Sequence, residues 1–114
     1  MIGRKLVRDG SLAICVFDGE LDLYSAPQME VELLEALDQP GPVIVDLSKC
    51  TYLDSTILTV LIRLTAQFRE RFCLVVPTES KIWRILQITR LADELPIELD
   101  IDIARRRWDV AESP

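Results

Sequence analysis

The chain contains no histidine. That removes the commonest general base, the Ser-His-Asp triad and most zinc sites. It has only four glycines, and neither G-x-x-x-x-G-K-[ST] nor G-x-G-x-x-G occurs, so no glycine-rich phosphate cradle is expected. Basic residues are outnumbered 13 to 19, giving a formal net charge of −6. Nucleic acid and anionic membranes need clustered Lys and Arg, so neither is expected as a partner. The one basic cluster, Arg105-Arg106-Arg107, lies among Asp100, Asp102 and Asp109 and reads as a solvated helix face in preference to a binding patch. Cysteine is scarce: Cys15, Cys50 and Cys73 are odd in number and form no C-x-x-C. Cys15 and Cys73 sit inside apolar, strand-like runs and read as buried free thiols, which suits a reducing cytosol. No apolar run approaches about 18 residues, and the opening MIGRKLVRDG has no apolar signal core. The expectation is a soluble, cytoplasmic, unprocessed chain without membrane insertion.

What is present is an ordinary globular balance. With 114 residues, 49% of them apolar, the chain fits a single domain over 1–114 with one core. Residues 4–8 and 11–17 (SLAICVF) read as two strands joined at Asp9-Gly10, whose positive φ suits a tight hairpin. Ser25-Ala26-Pro27-Gln28 reads as a capping box opening a helix. Ala26, Met29, Leu33, Leu34 and Leu37 fall on one face of that helix, and Gln39-Pro40-Gly41-Pro42 stops it. Residues 43–47 (VIVDL) read as a central strand covered on both faces. A helix then runs to about Phe68. Residues 72–76 form a second buried strand, residues 79–91 a helix with Ile82, Ile85, Leu86 and Trp83 inward, and 97–99 a short strand. The last helix spans about Asp102 to Val110, ahead of a frayed AESP tail. Asp100 and Asp102 alternate as exposed residues on a strand edge would, and read as solubilising charge. The order β-β-α-β-α-β-α-β-α predicts an α/β fold: a small, mostly parallel mixed sheet with an antiparallel first strand and about four helices packed against it.

One stretch, residues 52–64 (YLDSTILTVLIRL), carries the functional question. Asp54, Ser55 and Thr56 precede an apolar run, and three such residues commonly do no more than cap a helix. The helix they open carries two apolar stripes. Ile57, Val60, Leu61 and Leu64 form one, and Leu58, Ile62 and Thr65 lie on another. Two stripes exceed what a single core face requires. A helix buried on both flanks is the plainer reading, and a hydrophobic docking face the sharper one.

The segment DLSKCTYLDSTIL (46–58), together with Gly19-Glu20-Leu21-Asp22 upstream, resembles the STAS domain family, best known as bacterial anti-sigma factor antagonists. The family's hallmark is similar to D-[ST]-[ST]-G-[LIV] after a D-[LF]-[ST] strand end. The likeness extends over nearly the whole chain, including Arg84-Ile85-Leu86. It implies a regulatory interaction module and not an enzyme, with no cofactor. By the resemblance Thr56 is the phosphoryl acceptor, with Ser55 as alternative. Asp22, Asp54, Ser55, Ile57, Val60 and Leu61 form the partner-binding set. The implied partners are an anti-sigma factor with serine/threonine kinase activity and a PP2C-type phosphatase, and a homodimer stays open. Ile57 occupies the family's glycine position, where a glycine would leave room for a partner backbone. Two other roles fit the same family: a non-phosphorylated STAS subunit docking on a transporter ATPase, and a ligand-sensing module.

Overall fold

A computed structural model describes residues 3–108. Strand β1 (Gly3–Asp9) and strand β2 (Leu12–Leu21) form the antiparallel hairpin. Asp9 pairs with Leu12, so Gly10 and Ser11 make a two-residue loop, and Gly10 has φ +62°. Positive φ at the first loop position suits the right-handed twist of the flanking strands. Helix α1 (Ala26–Asp38), strand β3 (Val43–Leu53), helix α2 (Ser55–Phe68), strand β4 (Phe72–Val75), helix α3 (Lys81–Ile88), strand β5 (Ile97–Glu98) and helix α4 (Ile101–Arg106) follow. The five strands lie in sequence order in one sheet, with β2 to β5 mutually parallel. Crossovers of a single hand between successive neighbours deliver α1, α2 and α3 to the same face. There they bury the large cluster around Phe17, Leu21, Met29, Leu33, Leu47, Ile57, Leu61 and Phe72. Helix α4 covers the other face, over Ile14, Ile44, Cys73 and Val75. No helix among the described residues is long and apolar enough to cross a membrane.

Four details differ from the expectations. Strand β3 does not end at Leu47 but runs on to Leu53. Its register against β2 slips between Val16 and Asp18 and again between Gly19 and Glu20, so extra β3 residues bulge out. The buried positions Leu47, Cys50 and Leu53 therefore recur every third residue, and the period-2 signal disappears. Leu34, expected inward, is 37% exposed. Asp100 is not on a strand edge; its Oδ1 accepts the Ile103 N–H and caps α4. Helix α3 is shorter than 79–91, because Ser80 caps its start and Arg90 turns left-handed (φ +65°) after its end. Ile82 and Leu86 of α3 are buried, while Trp83 and Ile85 pack against the core half-buried. Val110 and the AESP tail lie outside the described residues.

Two ion pairs account for most of the arginine cluster: Arg105 with Asp9 and Arg107 with Glu98. Arg71 closes the end of α1 by donating to the carbonyls of Leu37, Gln39 and Gly41, acceptors that a helix terminus leaves without partners of its own. All three cysteines are free and buried.

Candidate functional site

The parallel pairing of β2 and β3 ends with Leu21 opposite Leu53. The next residue on each strand is an aspartate, Asp22 and Asp54, and each opens a helix. The Asp54 N–H donates to the Leu21 carbonyl (3.1 Å), tying the two strand ends together. In an open parallel sheet the carboxyl ends of the strands are where loops and helix N-termini meet and where sites tend to form.

Asp54 is the cap of α2. Its Oδ1 accepts the Thr56 and Ile57 N–H groups at 3.0 and 3.2 Å, two of the first-turn donors that a helix start leaves unpaired. Asp22 plays the matching role for the turn that leads into α1, and here the expected capping box is corrected. The Ser25 side chain makes no cap bond to α1; its Oγ accepts the Asp22 N–H at 2.9 Å and donates back toward Asp22. Asp22 Oδ1 accepts the Tyr24 and Ser25 N–H groups, and the Ala26 N–H reaches the Asp22 carbonyl. A hydrogen-bonded turn over residues 23–25, tied to Asp22, therefore leads into α1.

Ser55 and Thr56 occupy the first two positions of α2, and both are exposed. The three apolar residues expected in a docking face are not on the surface. Ile57, Val60 and Leu61 are 0%, 4% and 0% exposed and belong to the main core. The helix is buried on both flanks at its start, since Leu58 is covered as well; of the second stripe Ile62 is exposed and Thr65 half-buried. The physical reason is coverage: the first turns of α2 lie over the sheet beside α1 and α3, which leaves the Ser55, Thr59 and Ile62 side in solvent.

The exposed apolar surface at this end comes from residues the sequence reading did not single out. Leu23 is 54%, Tyr24 84% and Tyr52 46% exposed. Each lies within two residues of Asp22 or Asp54, in L-D-L-Y and Y-L-D. Large apolar side chains in a strand-end turn, where small polar residues are the norm, are the signal that could have identified them. Two carboxylates, two free hydroxyls and two tyrosines thus share one end of the sheet. Such a surface can bind another protein and accept a phosphoryl group. Among the described residues no group of three Cys, Asp or Glu converges as a metal site. A groove of about 930 Å³ lies elsewhere, between β1 and α1, lined in part by Arg4, Leu6, Phe17 and Glu32.

The profile of the STAS domain family matches residues 4–104. The chain belongs to the STAS domain family. Among curated STAS relatives, the anti-sigma-B factor antagonist of Listeria monocytogenes is 31% identical over 83 residues, spanning 70% of this chain and 73% of that protein. Two solved structures share the fold at lower identity. An anti-sigma factor antagonist from Mycobacterium paratuberculosis superposes with TM-score 0.81 at 22% identity, covering 93% of this chain and 92% of that one. A sulfate transporter family protein from Wolinella succinogenes gives 0.71 at 17%, covering 94% and 93%. At these identities the structural likeness speaks for the STAS fold alone. The anti-sigma antagonists of the family are regulatory binding modules.

Proposed function

We propose that this STAS domain is a cytoplasmic anti-sigma factor antagonist: a non-enzymatic module that binds an anti-sigma factor with serine/threonine kinase activity and is released when Thr56 is phosphorylated. A PP2C-type phosphatase returns it to the binding form. The observation that carries this reading is the exposed Ser55-Thr56 pair at the start of α2, standing among Leu23, Tyr24 and Tyr52 on the tied ends of β2 and β3. The Listeria relative's role supports it.

The physics is that of a local charge switch. Tyrosines exposed at this level are the kind of side chain that anchors protein interfaces. A phosphate adds about −1.5 to −2 charge at pH 7. On Thr56 it would sit at the positive end of the α2 dipole, which favours it, but also beside Asp54, which already accepts two of the first-turn N–H groups. The fold therefore tolerates the group, while a partner packed on the same surface meets two adjacent negative charges. The effect is loss of binding without refolding.

The test is a pull-down from the native lysate with mass spectrometry of the partner and of residues 55 and 56. It is followed by affinity measurements on wild type, Thr56→Ala, Thr56→Glu and Ser55→Ala. Recovery of a kinase-type anti-sigma factor, phosphate on Thr56, and binding lost in Thr56→Glu but kept in Thr56→Ala are expected. If Thr56→Glu binds as tightly as wild type, the charge switch is wrong. A second reading uses the same exposed surface without phosphate, as a STAS subunit docked on a transporter ATPase. Recovery of a transporter subunit with both hydroxyls unmodified would favour that reading.

A further inference from the structure

Helix α1 has two apolar faces, and only one is used by the core. Met29, Leu33 and Ala36 are buried. On its solvent side Pro27, Val31 and Leu34 recur at intervals of four and three, the spacing that lines residues up along one helical stripe. Val31 is more than half exposed, Leu34 is 37% exposed, and Pro27 faces solvent. At the far end of α1 this stripe meets Phe68, the last residue of α2. Val31, Leu34, Leu37 and Phe68 line a groove of about 440 Å³ there, with Glu35 and Asp38 as its only charged lining. An exposed apolar stripe that ends in a groove is what a helix-in-groove contact requires.

The charges name the occupant. Helix α1 carries Glu30, Glu32, Glu35 and Asp38 and no Lys or Arg. Glu30 and Glu32 are taken by Arg63 and Arg4. Among the described residues Glu35 and Asp38, on the rim of the groove, are in no ion pair. We propose that the solvent face of α1 is a second docking surface, and that its occupant is a cationic amphipathic helix: apolar residues at heptad spacing, flanked by Lys or Arg. A second copy of this chain would bring the same acidic rim against the stripe, so self-pairing is the poorer fit. The surface is separate from the Thr56 site. Twelve residues of α2 at about 1.5 Å each put Phe68 roughly 18 Å along the helix from Thr56, so the proposal does not rest on the anti-sigma reading.

The experiment is an NMR titration of the full chain with two synthetic peptides. Both have Leu at the a and d heptad positions; one has Lys at the flanking positions and the other Glu. The Lys peptide is expected to shift the amides of residues 31–38 and Phe68, and the Glu peptide to leave them unmoved. The Val31→Gln/Leu34→Gln variant keeps net charge and alters only exposed side chains. It is expected to bind the Lys peptide about tenfold more weakly, and Glu35→Lys/Asp38→Lys to lose it similarly. Thr56→Glu is expected to bind as wild type. Equal binding by the Gln variant would reduce the effect to general attraction by an acidic protein and overturn the proposal. So would failure of the Lys peptide to bind, altered affinity in Thr56→Glu, or a concentration-dependent dimer that the Gln variant abolishes.

Discussion

By the likeness to the STAS hallmark Ile57 stands at its glycine position, and its substitution separates packing from access. The side chain is fully buried in the main core, while its neighbour Thr56 is exposed. Ile57→Ala removes three carbons, about 2.4 kcal/mol of transfer free energy at roughly 0.8 kcal/mol per methylene. The cavity left behind adds to this, and buried Ile→Ala changes cost about 2–5 kcal/mol in total. With the site closed over by strands and neighbouring helices, a value of about 3–4 kcal/mol is expected. Ile57→Gly adds about 1 kcal/mol of helix propensity. Either is a large share of a domain stability of about 5–15 kcal/mol. Urea unfolding followed by tryptophan fluorescence measures the loss. Under conditions where both proteins remain folded, the rate of the proposed Thr56 phosphorylation by a serine/threonine kinase is expected to be unchanged within about twofold, since the side chain removed lies beneath the helix. This expectation uses the small effect of substitutions on surface features they do not touch. Two results would refute the reasoning: a loss below about 1 kcal/mol, which would mean Ile57 is not packed, or a tenfold faster phosphorylation of the folded Ala variant, which would mean it obstructs the hydroxyl.

Two further outcomes test the fold that carries the site. A Cβ on Gly41 would stand 2.2 Å from the Ser11 backbone oxygen, at φ +109°, whereas one on Gly10 meets nothing within 4 Å. Gly41→Ala, which adds a backbone clash to the strain, is therefore expected to cost more than about 2 kcal/mol and Gly10→Ala, strained without a clash, about 1–2 kcal/mol, read as thermal midpoints; equal shifts would contradict the contact. Burial, the leading cause in each case, pushes the Cys15 thiol up to about 11 and those of Cys50 and Cys73 to about 12. The unfolded chain ionises its thiols near pH 8.5–9, so the folded state holds these protons more tightly. The stabilisation is complete below about pH 8.5 and declines above it, by up to roughly 1.4 kcal/mol per pH unit for each thiol, until the folded pKa is passed. Urea midpoints that stay level from about pH 8 to pH 10.5 would refute this burial effect.

Most of the architecture was legible because local signals and tertiary demands agree in this chain. The buried parallel strands are apolar on both faces, Asp9-Gly10 sits where a hairpin must turn, and Pro40-Gly41-Pro42 cannot continue a helix. The readings that failed did so where one residue answers to two patterns. The second half of β3 was lost because bulges against β2 convert period 2 into period 3. Ser25 has the spacing of a cap, but its side chain bonds back to Asp22, which takes the N–H groups of Tyr24, Ser25 and Ala26. Leu34 has the spacing of a core residue and lies at the margin of the face, where the gap between α1 and α2 leaves it in solvent.

The site itself was half legible, and the missing half follows from helix geometry. In D-S-T-I the acid, the hydroxyls and the apolar residue are consecutive, so a linear reading treats them as one surface. Successive residues of an α-helix are rotated by about 100°. Once Asp54 fixes where α2 begins, Ser55 and Thr56 face outward and Ile57 must turn under the helix, into the core. The apolar surface available to a partner then comes from outside the motif: Leu23 and Tyr24 from the neighbouring strand end, and Tyr52 from the residues before the cap. The tie between the Asp54 N–H and the Leu21 carbonyl brings those two strand ends together. A substitution at the motif's fourth position is therefore a change in the core, and the apolar part of the proposed partner surface comes from the turn after β2 and the last residues of β3.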